Sequence, residues 1–215
     1  MYNCNMSTSN EKTVEAYNNH IQQYVDGTTH DVSGPIKYWL DSIVEGLPYD
    51  ARIMELGSAF GRDADYLESK GFTVDRTDVT PGFVKLQKEL GRSSRVLNAI
   101  SDAFPDELDA IFANAVMLHF NGKEIEQVLA KSYISLRANG RLGITLKAGD
   151  GEEWSSMKLG APRYFHYWRP ESIQPVLESA GFSIVDINSS AANGTEWLQI
   201  VTKKNTKDED NYGNI

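Results

Sequence analysis

Between Ala51 and Lys204 the chain alternates short apolar runs with amphipathic stretches of helical spacing, and this alternation restricts the fold more than any other feature. ARIMELG, bounded by Asp50 and Gly57, reads as a buried strand, and DADYLESKG after it as a helix ending at Gly71. FTVDRTD is a second strand. TPGFVKLQKELG is a helix with Thr80 as N-cap and Pro81 in its first turn. SRVLNA and LDAIFANAVML read as third and fourth strands, and GKEIEQVLAKSYISLRANG as a long helix ending at Gly140. RLGITLKAG is a fifth strand, and PESIQPVLESAG a helix that Pro175 bends or shortens. FSIVDINSS and TEWLQIVTKK close the series as two strands joined by AANG, where Asn193-Gly194 favours a hairpin turn. Strand–helix alternation implies an α/β fold: a parallel sheet with right-handed crossovers and helices on both faces. The final hairpin adds antiparallel strands at one edge. Open sheets of this kind bind ligands at the carboxyl ends of their strands, where strand order reverses. The function is therefore expected after Leu56, Asp78, Ala113 and Lys147.

Two helical stretches precede the alternation. TVEAYNNHIQQYVDG places Val14, Tyr17, Ile21 and Tyr24 or Val25 on one face, with Gly27 as a stop. SGPIKYWLDSIVEGL carries Ile36, Trp39, Leu40, Ile43 and Val44 on one face. Residues 1–10 and 205–215 lack apolar periodicity and are expected to be disordered, which leaves 11–204 as a single domain. Charge narrows the partners. With 21 Lys and Arg against 30 Asp and Glu, the net charge of −9 opposes the broad cationic field that nucleic-acid binding needs, and it repels anionic membranes. The lone Cys4 excludes a disulfide framework, and the four histidines show no metal-ligand spacing, so no metal is expected. No apolar run approaches a membrane span, and MYNCNMSTSNEK has no apolar core of a signal peptide, so the cytoplasm is the expected compartment.

The first strand runs into Glu55-Leu56-Gly57-Ser58-Ala59-Phe60-Gly61-Arg62-Asp63. A dinucleotide fingerprint needs G-x-G-x-x-G, and Ala59 and Arg62 break it, which disfavours an NAD-dependent enzyme. Acid, any, Gly, any, small, any, Gly fits instead. This pattern resembles the first motif of the class I S-adenosylmethionine-dependent methyltransferases, and GRDADYLESKGFTV is similar to their tellurite-resistance and small-molecule branch. The resemblance spans roughly residues 50–204. It implies a Rossmann-like, mixed seven-stranded sheet ordered 3-2-1-4-5-7-6, with S-adenosyl-L-methionine as cofactor. Glu55 would support the loop and the sulfonium end, while Gly57, Ala59, Gly61 and Arg62 bring the chain against the methionine part. Asp78, 21 residues after Gly57 and followed by Val79, offers a carboxylate that takes both ribose hydroxyls. Asn98 and Ala99 stand where the family contacts adenine, with Asp102 as a late acid. Ala113 and Asn114 end the fourth strand, and Asn139 stands where Pro is commoner. Residues 11–47 correspond to an N-terminal helical lid, with Tyr17 and Tyr24 over the cofactor.

The acceptor side is expected beyond the fourth and fifth strands. His119 is a candidate general base, with a structural histidine as the alternative. Lys147, Arg163, Tyr164 and Tyr167 interleave cations with aromatics and suit an anionic or aromatic small molecule. Arg163 can clamp a carboxylate bidentately; a salt bridge to Glu152 or Glu153, and aromatics that merely cover the sheet edge, are the alternatives. The expected activity is methyl transfer to an O, N or carboxylate acceptor on a small molecule, by a monomer or homodimer. Carboxyl methylation of a peptide C-terminus and a non-catalytic S-adenosylmethionine-binding module stay open.

Overall fold

Caps and glycines set the element boundaries of the computed structural model, which describes residues 8–205. The Thr8 hydroxyl accepts from the Glu11 N–H, and the Glu11 carboxylate accepts from the Thr8 N–H, which starts α1 (Ser9–Asn18). Residues 8–10 are thus helical or capping rather than disordered, while 1–7 and 206–215 lie outside the described residues. Asn205, also expected in the tail, donates its N–H to the Gly181 carbonyl at 3.0 Å. The first helical stretch breaks at Asn19-His20, and α2 (Ile21–Asp26) follows. Next come α3 (Gly34–Val44), β1 (Arg52–Leu56), α4 (Arg62–Ser69), β2 (Thr73–Asp78), α5 (Pro81–Glu89) and β3 (Ser94–Val96). β4 (Leu108–Ala113) leads through a 3₁₀ turn, Met117–His119, into α6 (Gly122–Ser135), which Asn121 and Glu124 open with a second capping box. β5 (Leu136–Lys147), β6 (Glu152–Ser155), β7 (Arg163–His166), α7 (Pro170–Ser179), β8 (Phe182–Ala192) and β9 (Thr195–Lys204) complete the chain.

Seven strands form one sheet in the order β3-β2-β1-β4-β5-β9-β8, parallel from β3 to β5 and antiparallel at β9 and β8. This is the expected arrangement once the separate two-stranded β6–β7 hairpin is set aside. Alternate side chains divide the core between the two faces. Met54 and Ile111 point to the face covered by Ile125, Val128 and Leu129 of α6 and Ile173 and Leu177 of α7. Ile53 and Phe112 point to the other face, under Trp39, Leu40 and Ile43 of α3 and Leu67 of α4. α3 sits so close that a Cβ on Gly143 would lie 2.2 Å from Ile43 Cδ1. The buried Trp39 indole N–H donates to the Ile200 carbonyl at 3.0 Å. α3 is therefore a core helix of the far face, and only α1 and α2 of the expected lid segment lie over the strand ends. α6 stops at Ser135 rather than Gly140, because Leu136 is already extended (φ −76, ψ 141) and begins β5. α7 runs on through Pro175 to Ser179. At the β8–β9 tip Asn193 and Gly194 both take positive φ, 52 and 74, as the hairpin turn requires. No helix among the described residues is long and apolar enough to cross a membrane.

Candidate active site

The strand order reverses between β1 and β4, and there a cavity opens at the strand ends beneath α1 and α2. The loop after β1 forms its floor. The Ser58 N–H donates to the Thr77 carbonyl at 2.8 Å, and the Ala59 N–H to Asp78 Oδ2 at 2.8 Å, with Ala59 itself left-handed (φ 46). Asp78 Oδ1 accepts from the Thr80 N–H at 2.7 Å. Asp78 thus lines the cavity as a buried carboxylate held by two backbone donors, with no ion-pair partner among the described residues. Burial pushes its carboxyl above the ordinary value, and the two N–H groups pull the other way. Gly57 is left-handed (φ 69), and a Cβ there would lie 2.3 Å from Val116 Cγ2 on the facing wall. No side chain fits that approach.

Ten of the residues expected at the site do line this cavity: Tyr17, Tyr24, Gly57, Ala59, Asp78, Val79, Asn98, Ala99, Asn114 and His119. Four others stand behind it. Glu55 is buried beneath the loop, where its carboxylate accepts from the Ser58 hydroxyl; burial and neighbouring Asp63 hold its carboxyl well above the usual range. It supports the loop and is not part of the cavity wall. Gly61 (φ 90) faces away, and a Cβ there would lie 2.5 Å from Arg76 Nη1, a buried guanidinium that donates to the Gly61 carbonyl at 2.9 Å. Arg62 donates to Asp63 Oδ1 at 2.7 Å and to the Thr29 carbonyl at 3.1 Å, and so ties the start of α4 to the segment after α2. Ala113 is enclosed in the sheet. Asp102 also stands outside the wall and accepts from the Asn98 N–H at 2.9 Å. The sequence reading missed Asn10, Thr13 and Val14, which share with Tyr17 one face of α1, and also Phe83, Val116 and Phe120. The spacing 10, 13, 14, 17 was the available signal, hidden because two of the four residues are polar.

Asn114 is fixed on both sides. Its Nδ2 donates to Asp63 at 2.7 Å, and its Oδ1 accepts from the Thr145 hydroxyl at 2.7 Å. Across the cavity, the Tyr17 hydroxyl and His119 Nε2 are 2.9 Å apart. His119 Nδ1 lies 2.6 Å from the Tyr164 carbonyl, which accepts only, so Nδ1 carries the proton and Nε2 accepts from Tyr17. Burial lowers His119 to about 3 and raises the Tyr17 phenol, so both groups are neutral near pH 7.

Residues 54–144 match the family model described as a methyltransferase domain, over the strands and loops that build this cavity. The strand order and the cavity are those of the Rossmann-like fold of class I methyltransferases. No curated protein matches the sequence. Among solved structures, the 1,6-didemethyltoxoflavin-N1-methyltransferase of Burkholderia thailandensis is 18% identical, with a TM-score of 0.70 over 95% of this chain and 94% of that one. The magnesium protoporphyrin IX methyltransferase of Synechocystis PCC 6803, with S-adenosylmethionine bound, is 12% identical with a TM-score of 0.71, over 94% of this chain and 100% of that one. The [4+2]-cyclase SpnF is 15% identical with a TM-score of 0.70, over 93% of this chain and 97% of that one. A cyclase on the same fold shows that the fold alone does not fix the reaction.

The four residues expected on the acceptor side cluster on β5 and β7 and their flanks, next to the cavity rather than in its wall. Arg163 is buried; its Nη1 donates to the Tyr17 hydroxyl at 3.1 Å, and its Nε has no hydrogen-bond partner. The expected alternative of a salt bridge to Glu152 or Glu153 is not formed. Glu153 accepts from the Tyr167 hydroxyl, and Glu152 lies 3.9 Å from His166 Nδ1. Lys147 Nζ sits 3.8 Å from the centre of the Phe165 ring. Tyr164 acts through its backbone: its carbonyl accepts from His119, and its N–H donates to the Thr13 hydroxyl at 3.0 Å.

Proposed function

We propose that the protein transfers a methyl group from S-adenosylmethionine to an O, N or carboxylate acceptor on a small molecule held beneath α1 and α2. The observation that carries this reading is Asp78. A buried carboxylate without a counter-ion is costly unless donors approach it, and each of its oxygens keeps a lone pair beyond the one its backbone donor uses. Two vicinal hydroxyls satisfy that requirement, and the apolar wall of Val79, Leu97, Ala99 and Phe120 beside it suits a flat base. The donor set therefore fits an adenosyl group, and the methyltransferase family match over residues 54–144 agrees with it. When bound, S-adenosylmethionine supplies an electrophilic methyl group on a sulfonium sulfur.

The chain's own contribution is alignment and exclusion of water. Tyr17, Tyr24 and Phe83 form an edge-to-face aromatic cover, with Tyr24 5.4 Å from Tyr17 and 5.3 Å from Phe83 between ring centres. Where the acceptor carries an ionisable O–H or N–H, its proton goes to the Tyr17–His119 pair. His119 Nε2 takes the Tyr17 proton as the phenolic oxygen takes that of the acceptor, and Arg163 Nη1 steadies the oxygen between them. A buried imidazole lowered to about 3 is a weak proton acceptor, so positioning outweighs base catalysis here. Calorimetry tests the assignment: S-adenosylhomocysteine binds with micromolar affinity and NAD does not. Tight NAD binding with no response to either adenosyl ligand overturns it.

A further inference from the structure

Three cations gather beside the cavity without a carboxylate partner. Arg163 is 4% exposed, yet no acidic side chain among the described residues forms an ion pair with it, with Lys147 or with Lys158. The buried Arg163 and half-buried Lys147 rest on aromatic faces instead, and the exposed Lys158 rests on one and also donates to the Thr28 hydroxyl at 2.7 Å. Arg163 Cζ lies 5.4 Å from the Tyr17 ring centre and 5.1 Å from that of Phe165, Lys147 Nζ shares the Phe165 ring, and Lys158 Nζ lies 4.1 Å from the Tyr24 ring centre. Glu153, the acid that acts on Lys147, is engaged by Tyr167. Partial desolvation lowers both lysines, Lys158 to about 8, and repulsion from Arg163 lowers each further. Ring faces ease a buried cation but do not neutralise it. Such a group of like charges, in a chain of net charge −9, is held together at a standing cost unless an anion completes it.

We propose that the acceptor carries an oxyanion, phosphate or carboxylate, which docks among Arg163, Lys147 and Lys158 as their missing counter-charge. This rests on the methyl-transfer reading above and names the substrate class of that site. The unpartnered Nε–H of Arg163 supplies one donor, and the two ammonium groups supply point charges. An oxyanion clamped in this way loses nucleophilicity, so it anchors the molecule, and the methylated atom is elsewhere on it. Tyr17 links the two ends. Its hydroxyl takes the Arg163 hydrogen bond on one side and meets His119 in the cavity wall on the other, so an anion at Arg163 lies next to the place where the acceptor must present its reactive atom.

The full chain, both unliganded and saturated with S-adenosylhomocysteine, is titrated with inorganic phosphate, benzoate and uncharged benzamide, followed by calorimetry and thermal melting. At least one oxyanion binds at millimolar concentration, more weakly as salt rises, and benzamide does not bind. Phosphate alone identifies a phosphate ester, and benzoate alone a carboxylate; either supports the proposal. Arg163→Gln, Lys147→Met and Lys158→Met each weaken the oxyanion by about tenfold or more and leave S-adenosylhomocysteine unchanged, while Lys88→Met on the exposed face of α5 changes neither. If Arg163→Gln fails to fold, the two lysine variants decide. Absence of oxyanion binding, or binding indifferent to Lys147→Met and Lys158→Met, overturns the proposal. Failure of S-adenosylhomocysteine to bind sinks the methyl-transfer reading instead, and the unliganded titration still decides this one.

Discussion

At the residue scale the site depends on a few groups whose chemistry is set by what surrounds them. Asp78 has two tasks: its oxygens hold Ala59 and Thr80, and the residue lines the cavity. Asp78→Ala is expected to weaken S-adenosylhomocysteine by roughly 10–150-fold, the equivalent of about 1.5–3 kcal/mol for hydrogen bonds to a charged group. Asp78→Asn, which keeps one acceptor oxygen, should fall between. Calorimetry on both variants checks this, and an Asp78→Ala affinity equal to the parent's would remove the carboxylate from the ligand. Gly57 works differently. Its left-handed backbone and the 2.3 Å approach to Val116 make it a packing requirement before any ligand arrives. Gly57→Ala is expected to lose about 1–3 kcal/mol of stability by chemical denaturation. The Gly57→Ala, Val116→Ala double variant should recover part of that loss, because the clash goes and the φ strain stays. No recovery would show that Val116 is not what the glycine accommodates.

At the element scale, α1 is fastened to β7 by a hydrogen bond between residues 151 positions apart, the Tyr164 N–H to the Thr13 hydroxyl. Thr13 is 2% exposed, so Thr13→Val leaves a buried donor without an acceptor, at a cost of about 1–3 kcal/mol. Limited proteolysis should then cut the α1–α2 segment faster than in the parent while the sheet stays resistant; equal cutting rates would mean that the bond does not hold the helix. The central strands β1 and β4 were legible because each is a short apolar run between turn residues, and the Asn193-Gly194 hairpin because its φ demands are written in those two residue types. The β6–β7 hairpin was not legible. EEWS and RYFH are four residues each; EEWS is mostly exposed, and the burial of RYFH comes from α1 and the 3₁₀ turn, which are distant in sequence. For the same reason Asp78 and the loop after β1 could be placed from local pattern. The Tyr17–His119 contact, the Lys158 cation and the packing of Gly61 on Arg76 could not, since each is a meeting of separate elements.

At the scale of the whole molecule, buried titratable groups set opposing demands on pH. His119 falls from 6.5 to about 3 on folding, so its contribution is full above pH 6.5 and is lost as pH drops toward 3. Glu55 and Asp78 are raised from 4.5 and 3.8, so theirs is full below those values and is lost as pH rises through the folded ones. Between pH 4.5 and 6.5 the histidine and Glu55 slopes, each about 1.4 kcal/mol per pH unit at most, oppose one another. Denaturation of His119→Gln across this range should show stability rising as pH falls relative to the parent, and Glu55→Gln the reverse. Parallel curves for all three proteins would show that these groups do not titrate on unfolding. The bond from Thr13 to Tyr164 also has a consequence in time. Thr13 leaves the ribosome 151 residues ahead of its partner, a gap of roughly 8–30 s at ordinary rates of synthesis. During that interval β1, β2 and β4 are already made, so the strand ends exist before α1 has its fastening, and the nascent protein has a floor before it has a roof.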